Sequence, residues 1–387
     1  MMQQMYSNLP IPDLAPFSIS SRYFNFGVGK YFYGFAGSSS WQCKLSILLN
    51  PVQQKHLYSI DMLRGLVALL VCLYHFTGGF FPEGHALRHF FSRGYLGVEV
   101  FFVISGLVIP MAMERMQYTG SLAGNFLLRR LLRIEPPYWC SIALIFVADF
   151  FAKFSRHYAD KRIDWDAGQL ISHLFHMNDL FDIPWYKGVY WSLAIEVQYY
   201  LLMALVFPLI RHGKLWLSWF VLFVFCMGRW LDTDMWVWYY GCHFATGTVL
   251  YYHSAGHING KWTTAMLGVC FVLTYWCFDV YHLTAVVLSS IFIVAIRMEF
   301  QPLVFLGKLS YSFYLIHVQV GWFAMDLLIR SYPDGNRTFF LALSIALTLA
   351  ASQVFYQYIE RPSHRWSQRL ASHRKPHRTN TGPVASA

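Results

Sequence analysis

Apolar residues dominate the chain from about residue 57 to about residue 358, in runs broken by short polar and basic stretches. A helix that crosses a bilayer needs about 20 mostly apolar residues. Runs of that kind fall at 57–80, 95–114, 136–154, 189–211, 214–231, 236–253, 262–279, 283–299, 308–330 and 337–359. The pattern predicts an all-α membrane protein, a bundle of about ten transmembrane helices. The first run is read as a span, not a secretory leader, because it is long and carries Asp61 and Arg64. Residues 1–50 lack helical periodicity and are expected to form a poorly ordered extension. The spanning domain then occupies 51–362. A polar, basic tail, 363–387, is expected to be disordered.

Composition agrees with the pattern. Of 387 residues, 56% are hydrophobic and only 13% charged. Soluble domains carry roughly 25% charge, so this chain cannot cover a globule of its size with a water-facing surface. The net charge of +10 does not point to nucleic acid, because the cations sit in short loops between apolar runs. Such cations set orientation in a membrane. The cluster Arg115, Arg129, Arg130, Arg133 and the tail cations Arg361, Arg365, Arg369, Arg374, Lys375, Arg378 put both termini in the cytoplasm. The seven cysteines show no CxxC spacing and read as small apolar fillers, free of disulfides and metal. The longest external loop, 155–188, holds His157, His173 and His176. Their spacing is too loose for a metal site, and a solvated loop is the expected reading.

Polar groups inside lipid are costly and therefore functional suspects. On a helical wheel, Asp61, Arg64, Gly65, Ala68, Cys72, His75 and Gly79 form one stripe of the first span, against Leu, Val, Phe and Tyr elsewhere. Arg64 lies near the cytoplasmic surface. His75 lies about 16 Å further along the axis, in the outer third of the bilayer. Glu99 on the second span and Glu196 on the fourth fall at the depth of His75. One imidazole and two carboxylates at one level suggest a cavity open to the outside. A carboxylate beside His75 would raise its basicity and fix its tautomer, as a general base needs. On the ninth span Ser310, Tyr314, His317 and Gly321 share a face, and packing is the preferred role of His317. Arg129, Arg130 and Arg133 precede Glu135-Pro136-Pro137, which is expected to open the third span, since proline is tolerated at a helix start. Arginines there suit a polyphosphate or the lipid phosphates.

These stretches resemble the motifs of the acyltransferase-3 family. Leu63-Arg64-Gly65 with Tyr74-His75-Phe76 resembles its first motif. GVEVFFVISGLVI (97–109), RRLLRIEPPYW (129–139), WSLAIEVQYYL (191–201), LGKLSYSFYLIH (306–317) and the closing Glu360-Arg361-Pro362 follow in the family's order. The resemblance implies transfer of an acyl group, most often acetyl, from cytoplasmic acyl-CoA to a hydroxyl of an envelope polysaccharide or related acceptor. It implies a location in the inner (plasma) membrane. No bound cofactor, metal or nucleic acid is expected; the partners are the acyl-CoA donor, the hydroxyl acceptor and membrane lipid. The family's histidine and arginine of the first helix map onto His75 and Arg64. Its paired cytoplasmic arginines map onto Arg130 and Arg133, and its acidic positions onto Glu99 and Glu196.

The mechanism expected from these residues has Arg64, Arg130 and Arg133 hold the donor's phosphates. His75, oriented by Glu99 or Glu196, removes the acceptor's proton. Cys72 or Ser105 is available for a covalent relay, but neither has an evident base. Buried Arg, His and Glu also suit a proton-coupled exporter of an envelope glycan component, the alternative reading. That reading lacks an inverted repeat and paired broken helices.

Overall fold

In a computed structural model the described residues are 58–152, 166–211, 215–231 and 236–372, and no strand occurs among them. The predicted extension 1–50, His157 and the tail cations Arg374, Lys375 and Arg378 lie outside the described residues. The principal helices are α1 (Tyr58–Phe80), α2 (Ala86–Phe91), α3 (Gly97–Arg115), α4 (Ala123–Ala152), α5 (Ala167–Leu174), α6 (Trp191–Arg211) and α7 (Leu215–Met227). They continue with α8 (Gly241–Ser254), α9 (Gly260–Cys277), α10 (Val280–Ala295), α11 (Gln301–Ile316), α12 (Phe323–Ser331), α13 (Arg337–Phe355) and α14 (Arg361–Ser372).

Every predicted run contains a helix, and the chain is a multi-pass membrane protein. Six helical stretches among the described residues are long and apolar enough to cross a bilayer: Tyr58–Phe80, Ala86–Arg115, Gly120–Phe150, Gly188–Arg211, Gln301–Ser331 and Arg337–Arg369. Two segments between the fourth and ninth runs are shorter than the hydropathy pattern suggests. Helices α7 and α8 have only 13 and 14 residues. Two long helices contain a wide π-type turn, at His317–Trp322 and at Tyr356–Glu360. Helix α14 continues past residue 363, where the sequence pattern predicts disorder.

Two glycine crossings draw the bundle together. A β-carbon on Gly65 of α1 would collide with the backbone of Leu303 and Gly307 on α11, and one on Gly307 with the carbonyl of Asp61. Gly106 of α3 and Gly247 of α8 make the same kind of approach. Without a hydrophobic drive between helices in lipid, small residues that let backbones touch supply the packing.

The third helix departs from its expected start. It begins at Ala123, and Pro136 and Pro137 lie inside it. Each proline removes an N–H, which leaves the carbonyls of Leu132 and Arg133 without their helical donors. The Ser363 hydroxyl lies 2.5 Å from the Leu132 oxygen and 3.2 Å from that of Arg133. Ser363 belongs to α14, so the end of the domain repairs its third helix. The same device recurs. Pro208 frees the Ala204 carbonyl, which accepts from Tyr118 Oη at 2.5 Å. Pro110 frees the Gly106 carbonyl, and Thr248 Oγ1 lies 3.4 Å from it.

Ser363→Ala should therefore cost about 1–3 kcal/mol, the penalty for a buried carbonyl left unpaired. The loss should largely vanish when Pro136 and Pro137 are both alanine, because the helix then supplies its own donors. Thermal unfolding in detergent checks this; equal losses in the two backgrounds would refute the repair.

Candidate active site

The described residues enclose a cavity of about 560 Å³ between α1, α3, α4, α6, α11 and the end of α13. Its charged lining is Asp61 and Arg64 from α1, Arg115 from α3, Arg130 and Arg133 from α4, Glu196 from α6, and Glu360. Helix α1 begins, α3 ends and α13 ends at this side of the bundle, which gathers the guanidiniums around one opening. Arg64, Arg130, Arg133 and Glu196, expected from the sequence as site residues, thus share one chamber.

Its polar groups are held firmly. The Glu360 carboxylate accepts from the Ser312 backbone N–H at 3.1 Å and from the Ser312 hydroxyl at 2.5 Å. Tyr200 Oη donates to Glu196 Oε1. The Arg130 guanidinium lies 5.7 Å from the ring centres of both Phe126 and Tyr200. Ser192 and Tyr314 also line the cavity, with their hydroxyls 2.7 Å apart, and Tyr314 Oη donates to the Val189 carbonyl at 2.8 Å. Ser105 lines the cavity too, whereas Cys72 is sealed in an apolar cluster with Ala68, Phe76 and Phe313. A thiol in such a place has no base to activate it.

His75 is not in the lining. It is half-buried and packs on the ring of His317, 5.4 Å between centres. His317 joins the cavity wall through Tyr314, whose carbonyl lies 2.7 Å from His317 Nδ1. The carboxylates expected to orient His75 sit elsewhere. Glu99 is buried with Oε1 3.1 Å from His282 Nε2 and Oε2 3.6 Å from His243 Nε2. Asp279, which caps the start of α10, lies 2.7 Å from the other nitrogen of His282. Glu196 belongs to Tyr200 and the arginine chamber. Among the described residues no carboxylate pairs with His75. The expectation fails because rotation about a helix axis is set by its neighbours: Glu99 faces α8 and α10, and Glu196 faces the arginines.

The sequence reading also missed Glu360, Ser312, Tyr200, His243 and His282. Glu360 carried a signal in the closing motif, and Asp279-x-x-His282 carried the spacing of a helix cap. His243 had none. Among the described residues no cluster of His, Cys, Asp and Glu is arranged to hold a metal ion.

The described part of the loop expected to be solvated, 166–188, packs its histidines against the bundle. His176 Nε2 lies 2.9 Å from Glu135 Oε1, and its ring stacks on Tyr138 at 4.8 Å. His173 is fully buried, and its Nε2 accepts the Tyr186 N–H at 2.8 Å. Helix α5 turns Ser172 and His173 inward, which the spacing of the histidines did not reveal.

Comparison with known proteins places this fold. Residues 57–357 match the acyltransferase domain that defines the acyltransferase-3 family. The chain belongs to the acyltransferase-3 family. It is 24% identical over 366 residues to the peptidoglycan O-acetyltransferase OatA of Listeria monocytogenes, an alignment covering 80% of this chain and 56% of OatA. It is 22% identical over 369 residues to a Staphylococcus aureus protein provisionally named an O-acetyltransferase, covering 80% of this chain and 58% of that one. A Komagataeibacter xylinus protein, BcsY, provisionally named a membrane-bound transacylase, is 30% identical over 170 residues, 41% of this chain and 40% of BcsY. The chain thus spans little more than half the length of the O-acetyltransferases it matches. No solved structure matches it.

Burial pushes His173 down to about 4, so the folded loop holds it neutral. An unfolded histidine titrates near 6.5. Protonation therefore favours the opened loop, and the stabilisation, intact above about pH 6.5, is lost as pH falls towards 4. Hydrogen exchange in Ala167–Leu174, corrected for intrinsic rate, should rise over that window. Flat protection between pH 7 and 4.5 would contradict it.

Proposed function

We propose that this acyltransferase-3 protein is a membrane-bound O-acyltransferase. It moves an acyl group, acetyl being the first choice, from cytoplasmic acyl-CoA to a hydroxyl of an envelope polysaccharide or related acceptor. In this reading it spans the plasma membrane about ten times, with both termini in the cytoplasm. The observation that carries the proposal is the arginine chamber. Arg64, Arg115, Arg130 and Arg133 face one cavity with only Asp61, Glu196 and Glu360 to balance them. Burying guanidiniums in lipid is expensive unless something anionic uses them. Their planar donor forks suit the phosphates of a coenzyme A donor.

From that anchor the donor's flexible arm runs through the cavity, past Ser192 and Tyr314, towards His75. The acceptor enters from the opposite side. His75 takes the hydroxyl proton as the oxygen attacks the thioester carbon. The carbon–sulfur bond then breaks, and the proton passes from His75 to the leaving thiolate. Both reactants are held in one water-poor site, which supplies the proximity effect. Glu196 serves here as a charge partner of the arginine chamber through Tyr200. Glu99 serves as the anchor of His282 and His243. A relay through Cys72 is disfavoured because that thiol is sealed in its apolar cluster.

The first experiment follows label from radiolabelled acetyl-CoA in membranes that carry the protein and its native acceptor. His75→Ala should abolish transfer into the envelope fraction while the protein remains inserted. Glycan export without consumption of acyl-CoA would instead favour the exporter. Arg130→Ala or Arg133→Ala should raise KM for acyl-CoA roughly 10- to 150-fold, the equivalent of about 1.5–3 kcal/mol for a charged hydrogen bond. An unchanged KM in both variants would remove these residues from the donor site.

A further inference from the structure

The reaction proposed above asks more of His75 than its presence. A neutral imidazole must offer its lone pair to the acceptor hydroxyl, so its other nitrogen must carry the proton and be held. No carboxylate performs that task here, because Glu99 is engaged by His282 and His243, and Glu196 by Tyr200.

The group in contact with His75 is a second imidazole. His317 is 1% exposed, and its ring centre lies 5.4 Å from that of His75 at an interplanar angle of 36°. Its tautomer is fixed by the backbone. Nδ1 lies 2.7 Å from the Tyr314 carbonyl oxygen, which only accepts, so Nδ1 carries the hydrogen. Nε2 is then a bare acceptor. It is buried and has no hydrogen-bond partner among the described residues. A buried acceptor without a partner is unfavourable, so its place in the core calls for a donor during function. His317 also opens the wide turn His317–Trp322. Single-turn widenings of this kind are frequent at functional sites.

We propose that His317 is the positioning residue of His75: its Nε2 accepts a hydrogen bond from the protonated ring nitrogen of His75, directly or through one water. The other nitrogen of His75 then faces the acceptor hydroxyl as the base. When that hydroxyl loses its proton, His75 becomes an imidazolium with two N–H groups. One stays on His317 Nε2, and the other is passed to the departing thiolate. No proton is gained or lost overall, and His317 keeps its own Nδ1 hydrogen throughout. Tyr314 lines the arginine chamber and holds His317 through its backbone carbonyl, so one residue touches both the donor cavity and the positioning histidine. The inference rests on the acyl-transfer reading.

The test compares wild type with His317→Phe, His317→Gln and His75→Ala in membranes supplied with acetyl-CoA and native acceptor. Phenylalanine keeps the ring's bulk but has no acceptor. Glutamine puts an amide oxygen near the place of Nε2. His317→Phe should lower kcat at least about tenfold, with KM for acetyl-CoA within about twofold of wild type. The acid limb of its pH–rate profile should also move. His317→Gln should recover most of the lost rate. Wild-type kcat in His317→Phe would overturn the proposal. So would equal loss in Phe and Gln variants at normal membrane levels, or a loss confined to KM, since each marks a packing role. Full activity in His75→Ala would sink the general-base reading itself, whatever His317 does.

Discussion

In lipid no water is available to satisfy a backbone carbonyl or N–H, and that constraint organises this protein. Helices answer it for most of the chain, but prolines inside helices reopen it. Here the freed carbonyls at Leu132, Arg133, Ala204 and Gly106 are met by hydroxyls of Ser363, Tyr118 and Thr248. All of those pairings join distant parts of the chain. The prolines thus act as sockets that fix which helices are neighbours. The Ser363 contact ties the closing helix to α4 at the turn that carries Arg130 and Arg133.

Close backbone approach does the rest. The Gly65–Gly307 crossing brings α1 against α11, and with it His75 against His317 and Arg64 towards Ser310 and Tyr311. The Gly106–Gly247 crossing brings α3 against α8 and delivers Glu99 to His243. The imidazole pair therefore sits on α1 and at the end of α11, which also form one wall of the charged chamber. Glu360 and Ser312 strengthen the arrangement, because a carboxylate held by a backbone N–H and a hydroxyl is a fixed countercharge for the guanidiniums. The Glu99–His282–Asp279 chain, with Asp279 at the mouth of α10, is a separate unit. Its ordered hydrogen bonds explain how a carboxylate is kept inside the bundle without serving His75.

The sequence by itself determined the solvent and the family. Low charge and repeated apolar runs leave only lipid as a medium. Six motifs in order mark the acyltransferase-3 family, and the helical period of α1 puts Arg64 and His75 on one stripe. Those signals are local, since each is carried by residues within a few turns of one another. Tertiary structure alone decided which side chains meet. Depth along an axis follows from residue number, but a helix's rotation and its neighbours follow from crossings such as Gly65–Gly307. For that reason the pairing of Arg130 with Arg133 on one helix was legible, whereas the place of Glu196 among the arginines and the partner of Glu99 were not. His173 and His176 were misread because burial of a loop depends on what it folds against. His317, read from its helix as a packing residue, acquires its meaning only from the ring it touches.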